Sequence, residues 1–320
     1  MATFRLSVLD ALNTFTGETL TETGSTVNTH FDVVVTAKTS NDFFIKTVDN
    51  SGTALTGVTL TVSSSSGVAA KLLDDYSGAE VAWSVCRQLD GDYSGSLIRI
   101  RRSSDNTEQD IGFDSSGDLD TSAITTFVGS NSAYVTTVYD QSGNSNHGVQ
   151  TNTSRQPKIV DNGSLILENG NPSILVNDSN SDGFNLTNSI RNSQIHSFVV
   201  LNPLLDTRWS IFNGNNNSVI PLAEQGRTNA PYNYLYVANS MHVNNSIIGT
   251  KRDDVYTAAY NNQVLFTMDF DTNSKRIETM FSRVSYELGG HFQEVILFES
   301  DESTNKSNIE QDLNDYYSIY

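Results

Sequence analysis

The sequence has one cysteine and little basic charge. Cys86 is the only cysteine in 320 residues, so no intramolecular disulfide can form, and we expect it to be a small buried apolar residue. Lys and Arg number 19 against 37 Asp and Glu, and the net charge of -18 disfavours binding to nucleic acid. No apolar run has the roughly 18 residues of a membrane-spanning helix, and the N-terminus lacks a signal-peptide pattern. We therefore expect no nucleic-acid partner, no membrane insertion and no classical secretion.

Polar residues that favour turns make up much of the chain. Hydrophobic residues are 37% and charged residues 18% of the sequence, which favours short strands over long helices. The fold class predicted is therefore all-β, with two packed layers. Strands are predicted at residues 97–102, 134–139, 173–176, 197–201, 234–238, 255–260, 264–270 and 292–298.

The first 68 residues form a predicted β module separate from a domain at 69–320. Its strand-like runs are residues 4–9, 31–37, 43–48 and 58–62. Residues 49–52, Asp-Asn-Ser-Gly, have turn chemistry suited to a hairpin, and the serine run at 63–67 resembles a flexible joint. We expect this module to serve in anchoring or assembly.

Two segments have helical spacing. In residues 77–89 a capping-box pattern precedes apolar positions three and four residues apart, which predicts a brace helix packed on a sheet. Its apolar positions are Ala82, Val85, Cys86 and Leu89, with Trp83 at the margin. Residues 304–317 predict a C-terminal helix that covers the core through Ile309, Leu313 and Tyr316 or Tyr317, with Glu310 and Asp312 facing water.

Three arginines lie in one strand, Arg99, Arg101 and Arg102. Alternation puts Arg99 and Arg101 on one face and Arg102 on the other. The nearby carboxylates are Asp105, Glu108 and Asp110. We expect a solvated, ion-paired strand.

The loop at residues 139–147, Tyr-Asp-Gln-Ser-Gly-Asn-Ser-Asn-His, is dense in side-chain oxygens and amides and follows a strand. Three interpretations stay open. The side chains could bond backbone groups within a tight loop. Asp140, Ser142, Asn144 and Asn146 place oxygens at alternate positions, as calcium loops do, but no acidic residue follows at the twelfth position, so no cofactor is expected and calcium is the weaker alternative. The third interpretation is direct contact with a ligand.

Sugar recognition requires planar amides or carboxylates for the hydroxyl groups and an aromatic ring to stack on the sugar. The candidate polar residues in the loop are Asp140, Gln141, Asn144, Asn146 and His147. The candidate aromatic residues are Trp209, Tyr232 and Tyr234, with Tyr236 close by. Because Tyr234 and Tyr236 share a strand face, packing in the core is the alternative for them.

Three stretches of the sequence resemble one family. They are YSGSLIRIRRSSD at residues 93–105, VYDQSGNSNH at 138–147 and FQEVI at 292–296. The chain resembles the catalytic domain of alpha-L-arabinofuranosidase B over about residues 70–320, most strongly at 71–160. The resemblance implies a concanavalin A-like jelly-roll sandwich.

The same motifs, with the closing strand and the terminal helix, also resemble laminin G-like domains of bacteriophage virion proteins. This second resemblance implies a structural or accessory virion protein, in capsid decoration or at the tail, localised to the virion. Its partners would be other virion proteins at the N-terminal module and cell-surface or environmental glycans. A homo-oligomer or multicopy assembly would raise the effective concentration of weak sugar sites.

The family's catalytic motifs are not reproduced. The resemblance implies an acid/base aspartate in a Gly-Gly-Asp-Asn loop before the closing strand, whereas residues 282–290 contain no aspartate. The Met-Glu-Ala-Ile strand of the nucleophile is absent from residues 200–270, where Glu224 is the only glutamate, and Glu287 is an isolated substitute. The sequence therefore predicts a virion protein with adhesive function and no catalytic residues. The alternative is an arabinofuranosidase-type hydrolase with rearranged carboxylates.

Overall fold

The chain divides into two compact units, Met1–Ala70 and Lys71–Tyr320. The computed structural model describes residues 71–177, 182–205, 208–214, 219–231, 237–281 and 288–320, together with four strands of the first unit. These strands are β1 (Glu18–Thr23), β2 (Asp32–Lys38), β3 (Phe43–Val48) and β4 (Thr59–Ser64).

In the first unit the strands pair as β1 with β4 and β2 with β3, both antiparallel. The strands predicted at 31–37, 43–48 and 58–62 correspond to β2, β3 and β4, whereas the run at 4–9 lies outside the described residues. The turn predicted at residues 49–52 lies outside the described residues, and the strands on either side of it, β3 and β4, pair with β2 and β1. The anchoring role of this module stays a prediction.

The second unit is mostly β-strand, and its helices are short. The helices are α1 (Leu72–Asp75), α2 (Thr121–Val128), α3 (Arg252–Ala259) and α4 (Lys306–Tyr317). Its strands are β5 (Ala79–Ser84), β6 (Ile98–Arg102), β7 (Glu108–Ile111), β8 (Ala133–Val138), β9 (Gly148–Val149), β10 (Lys158–Asp161), β11 (Ser164–Leu165), β12 (Leu167–Glu168), β13 (Asn171–Pro172), β14 (Ile174–Val176), β15 (Phe184–Ile190), β16 (Ile195–Pro203), β17 (Arg208–Gly214), β18 (Val219–Glu224), β19 (Val237–Val243), β20 (Ser246–Ile247), β21 (Val264–Asp271), β22 (Ile277–Met280) and β23 (Gly290–Phe298).

Seventeen of these strands join in one antiparallel network. Its centre is β23, which pairs along one edge with β16 and along the other with β14 and then β5. From β14 the sheet continues through β10 and β8 to β6 and β7, and from β16 it continues through β21 to β19. Strands β9, β15, β22, β17 and β18 follow one another from β8, while β11 pairs with β10 and β20 with β19. The predicted all-β jelly-roll class is confirmed.

The predicted brace helix at residues 77–89 is wrong, because this segment contains β5, paired with β23. Residues 81–86, Cys86 among them, are all fully buried. A strand covered on both faces is apolar without interruption, and such a run also satisfies the spacing of a helix face. The expected burial of Cys86 is confirmed, but in an extended segment.

The strand predicted at residues 255–260 is also wrong, since these residues lie in α3 and its C-cap. The helix begins after Lys251, whose backbone N–H donates to the Asp254 carboxylate at 2.8 Å. This contact satisfies a donor that the first turn of a helix leaves unpaired. Local capping therefore overrides the strand preference of Val255 and Tyr256.

The C-terminal helix is confirmed as α4, which buries Ile309, Leu313 and Tyr317. Glu310, expected in water, is instead 1% exposed; it accepts hydrogen bonds from the Thr267 hydroxyl and the Lys306 ammonium. An ion pair and a hydroxyl group therefore compensate its burial. Among the described elements, no helix is long and apolar enough to span a membrane.

Candidate functional site

The loop that follows β8 is organised by Asp140, which is 2% exposed. One carboxylate oxygen accepts the backbone N–H groups of Ala82 and Ser142, at 2.8 and 3.1 Å. The other accepts the Asn146 N–H at 2.9 Å and the Ser142 hydroxyl at 2.7 Å. Because both oxygens are occupied by the protein, Asp140 fastens the loop to β5.

Gln141 and Asn144 connect the loop to the same part of the chain. The fully buried Gln141 side chain accepts from the Leu89 N–H at 2.7 Å and donates to the Arg87 carbonyl at 3.1 Å. The exposed Asn144 amide donates to the Ala79 carbonyl at 3.0 Å. Both amides satisfy backbone groups of the residues around β5.

Asn146 and His147 complete the loop. Asn146 is fully buried, and its side-chain oxygen accepts the Asn188 N–H at 2.8 Å. The Nδ1 atom of His147 accepts the Asp140 N–H at 3.0 Å, and its ring lies edge-on to Tyr139, with centroids 5.2 Å apart. The structure therefore supports the first interpretation, local bonding within a tight loop.

The other two interpretations of the loop gain no geometric support. Across the described part of the chain, no group of three or more His, Cys, Asp or Glu side chains is placed to hold a metal ion. The weaker calcium alternative and the carbohydrate role of the loop residues stay predictions.

The aromatic candidates do not join the loop in a sugar site. Trp209, on β17, is 0% exposed and packs edge-on against Phe266, with centroids 5.7 Å apart. A ring without exposed surface cannot stack on a sugar, so its predicted role is not supported. Tyr232, Tyr234 and Tyr236 lie outside the described residues, as does Glu287.

A cavity of about 540 Å³ opens above the sheet at β6, β8 and β10. It lies in the volume range of small-molecule sites, about 300–1,000 Å³. Its lining is polar apart from one tyrosine and one leucine. The lining residues are Arg101, Ser103, Asn106, Tyr134, Thr153, Ser154, Gln156, Lys158, Leu175, Asn177 and Asp182.

Strand register builds the floor of this cavity. Arg101 on β6 is opposite Tyr134 on β8, Tyr134 is opposite Lys158 on β10, and Lys158 is opposite Leu175 on β14. Directly opposed residues of antiparallel strands place their side chains on the same face. The Arg101 guanidinium carbon lies 5.0 Å and the Lys158 ammonium 5.9 Å from the Tyr134 ring centroid. The phenol ring therefore lies between two cations.

The prediction that the arginines of β6 are solvated and ion-paired is correct for two residues and wrong for the third. Arg99 pairs with Asp110 at 2.7 Å, and Arg102 with Asp105 at 2.6 Å. Arg101 is 8% exposed and lies on the cavity floor, not in solvent. Sequence reasoning missed the cavity because its floor depends on the register of strands that are distant in the sequence.

The row of opposed residues continues from Leu175 to His291 on β23 and to Asn202 on β16. Glu168, on β12, accepts from the Asn202 amide at 3.0 Å and lies 3.7 Å from Nε2 of His291. Nδ1 of His291 is 2.7 Å from the Ser173 hydroxyl, and burial lowers the pKa of the imidazole despite the nearby Glu168. Ser173 is fully buried, so it cannot attack a substrate.

Residues 76–183 match the family model described as the catalytic domain of alpha-L-arabinofuranosidase B. The curated relatives include alpha-L-arabinofuranosidase B of Aspergillus niger and of Aspergillus kawachii, each 40% identical over 70 residues. That alignment covers 22% of this chain and 14% of each relative. The chain thus matches only a small part of the length of these relatives.

Two solved structures are similar to this chain. One is an arabinofuranosidase complexed with arabinofuranosyl-alpha-1,2-xylobiose, with 16% identity and a TM-score of 0.45. The other is an alpha-L-arabinofuranosidase soaked with a cyclic sulfate inhibitor, with 16% identity and a TM-score of 0.43. Each similarity covers 72% of this chain and 62% of the other chain.

The prediction of a bacteriophage virion protein, with virion localisation and a capsid or tail role, is wrong. The matching family model and the curated relatives from Aspergillus are arabinofuranosidases, and none of them is described as a virion component. The mismatched catalytic motifs alone favour a protein without enzymatic activity, which is why the sequence pattern predicts the wrong class. Every described residue that lines the cavity falls within residues 76–183, the segment that matches the alpha-L-arabinofuranosidase B catalytic model.

Proposed function

We propose that this protein acts on arabinofuranosides as a glycoside hydrolase of the alpha-L-arabinofuranosidase type, with the cavity above Tyr134 as its sugar site. The observation that carries the proposal is that all the described lining residues of this cavity belong to the segment that matches the catalytic family model. The lining offers amides, hydroxyl groups and cations, which can bond several sugar hydroxyls at once.

Asp182 is the carboxylate of this lining among the residues described. It is 5% exposed, and one of its oxygens accepts the Asn177 N–H at 3.2 Å. Retaining and inverting glycosidases both use a pair of carboxyl groups. We therefore assign Asp182 as one member of that pair, the acid/base or the nucleophile.

Release of 4-nitrophenol from 4-nitrophenyl alpha-L-arabinofuranoside tests the proposal. We expect turnover by the unmodified protein and a loss of about 100-fold or more in kcat/KM for Asp182→Asn, because an amide supplies neither proton transfer nor nucleophilic attack. Asp75→Asn, at an exposed carboxylate of α1, is the control and should keep full activity. Turnover unaffected by Asp182→Asn would exclude this residue, and absence of turnover would exclude hydrolysis.

The second candidate is arabinoside binding without turnover. The observation that favours it is that, of the cavity-lining residues described, one alone carries a carboxylate. Isothermal titration with an arabinoxylan oligosaccharide separates the two functions. Binding without release of arabinose would support this candidate, and binding with release would support hydrolysis.

A further inference from the structure

The cavity floor holds a buried cation that forms no ion pair with a carboxylate of the described residues. Arg101, 8% exposed, donates from Nε to the Gln156 side-chain oxygen at 2.7 Å and from Nη1 to the Asn106 side-chain oxygen at 2.7 Å. Its third contact is the Thr153 carbonyl, at 3.4 Å. All of these acceptors are neutral. The guanidinium also keeps N–H donors that these contacts do not use.

The two neighbouring arginines show how this chain treats the same side chain elsewhere. Arg99 and Arg102 are more exposed, yet each makes a two-pronged contact with a carboxylate, Asp110 and Asp105 respectively. Within the described residues, no such carboxylate reaches Arg101. Burial of an unpaired charge costs free energy, so a folded protein normally supplies a group of opposite charge. At Arg101 the missing anionic partner would be a ligand that enters the cavity.

The other charged residues of the lining do not supply a counter-charge for Arg101. Lys158 is 31% exposed in its side chain and pairs at 2.8 Å with Asp161, which is outside the lining. Asp182 is the opposing carboxylate among the described lining residues, so with Asp161 the two cations are matched by two carboxylates. The whole chain has a net charge of -18. In so acidic a chain, the buried guanidinium of Arg101, which donates to neutral acceptors, is suited to one anionic group and not to a polyanion.

We propose that this cavity takes a uronic acid, with the sugar carboxylate held by Arg101 and Lys158 beside Tyr134. A carboxylate matches the planar donor fork of the arginine and receives charge-assisted hydrogen bonds. The sugar hydroxyls are left for the side chains of Asn106, Ser154 and Gln156. This inference goes beyond the proposed function, because arabinofuranose has no carboxylate and the uronic acid would be a separate residue of the glycan, bound in the same cavity.

Calorimetric titration of the full chain with methyl glucuronide and with methyl glucoside tests the inference, since the two ligands differ in the carboxylate. We expect the glucuronide to bind roughly 10- to 100-fold more tightly at low ionic strength, and 0.5 M salt to reduce that preference. Equal affinities would overturn the proposal. Acetate that binds as tightly as the glucuronide would also overturn it, because the site would then recognise a bare anion and not a sugar.

Variants locate the binding site. Arg101→Gln and Lys158→Gln should each lower glucuronide affinity about tenfold or more and lower glucoside affinity much less. Arg102→Gln, on the opposite face of the same strand, is the matched control and should bind like the unmodified protein. If Arg101→Gln does not fold, Lys158→Gln alone tests the proposal, because the Lys158 side chain is partly exposed and its replacement should leave the protein folded. Glucuronide affinity unchanged in Lys158→Gln would overturn the assignment.

This test is independent of hydrolysis. Loss of arabinofuranoside turnover in Asp182→Asn with intact glucuronide preference would support both proposals. Turnover of the neutral arabinofuranoside together with equal glucuronide and glucoside affinities would remove the uronic acid inference and leave the proposed function intact.

Discussion

The indole nitrogen of Trp83 donates a hydrogen bond to the backbone carbonyl of Asn146 at 2.8 Å. This bond joins β5, in the centre of the sheet, to the polar loop that follows β8. Both residues are fully buried, so the indole N–H and the carbonyl bond each other in place of water. The loop is thus held by the core and not only by its own turn chemistry.

The close approach of Trp83 to the strand after the loop predicts that Gly148→Ala is destabilising. A Cβ atom at residue 148 would lie 2.7 Å from the indole ring, which is closer than van der Waals contact permits. Overpacking of this kind costs about 1–3 kcal/mol of unfolding free energy. Urea denaturation measures this loss. Gly112→Ala is the control, because a Cβ atom there meets nothing within 4 Å, and an equal loss in both variants would contradict the packing argument.

Asp140→Asn tests the role of the loop carboxylate. The amide replaces one oxygen by a donor, which then faces the N–H of Asn146 or the N–H groups of Ala82 and Ser142. We expect a loss of about 2–3 kcal/mol in unfolding free energy, since the hydrogen bonds broken are to a charged acceptor. Asp92→Asn, at an exposed carboxylate, should change stability little. A stable Asp140→Asn protein would instead favour a ligand-binding role for the loop.

These contacts show what the sequence could predict. The turn-forming chemistry of residues 139–147 and the strand before them follow from local preferences, and both are present. The partners of Asp140 and Gln141, which lie in residues 79–89, could not be predicted, because that segment was interpreted as a helix. Its continuous burial arises from two layers that cover one strand, and that information is not contained in the local spacing.

The cavity was missed for a related reason. Arg101, Tyr134 and Lys158 lie on three strands that are far apart in sequence, and only the observed register places them side by side. From the sequence, Arg101 resembles Arg99 and Arg102, which do pair in solvent. Arg101 differs from Arg99 and Arg102 because Thr153 and Gln156 contact its guanidinium and remove it from water.

The buried ion pair beneath α4 predicts a large effect for Arg87→Met. Arg87 contacts the Glu294 carboxylate at 3.0 Å and Asp312 of α4 at 2.8 Å, and Glu294 is 1% exposed. Removal of the guanidinium leaves Glu294 buried without a cation, which costs about 3–5 kcal/mol of unfolding free energy. Arg227→Met, at a 62% exposed side chain paired with Glu224, should cost less than about 1 kcal/mol.

The double variant Arg87→Met, Glu294→Leu separates charge from packing. It removes both buried charges, so it should recover part of the stability lost in Arg87→Met alone. Thermal and urea unfolding of the four proteins of this cycle measure the coupling. A double variant less stable than the sum of the two single losses would contradict an electrostatic origin.

His196 predicts a loss of stability on acidification. Burial lowers the pKa of its imidazole from the usual 6.5, and this exceeds the opposing effect of Asp269, Asp301 and Glu302, while the Lys306 charge lowers it further. Nδ1 accepts the backbone N–H of Glu302 at 3.1 Å, so a proton on that nitrogen would break the bond. The neutral ring is therefore the form that the folded state prefers.

The sign of the effect follows from proton binding. Because the pKa of His196 is lower in the folded than in the unfolded chain, the unfolded chain binds more protons below about pH 6.5. Its contribution to stability is complete above pH 6.5 and is lost as the pH falls through the folded pKa. His196→Gln should accordingly show a smaller fall in melting temperature between pH 7.5 and pH 5, values on the two sides of the usual histidine pKa of about 6.5. Ser197→Ala, at a fully buried residue that does not titrate, should keep the pH dependence of the unmodified protein, and an unchanged dependence in His196→Gln would show that other groups cause it.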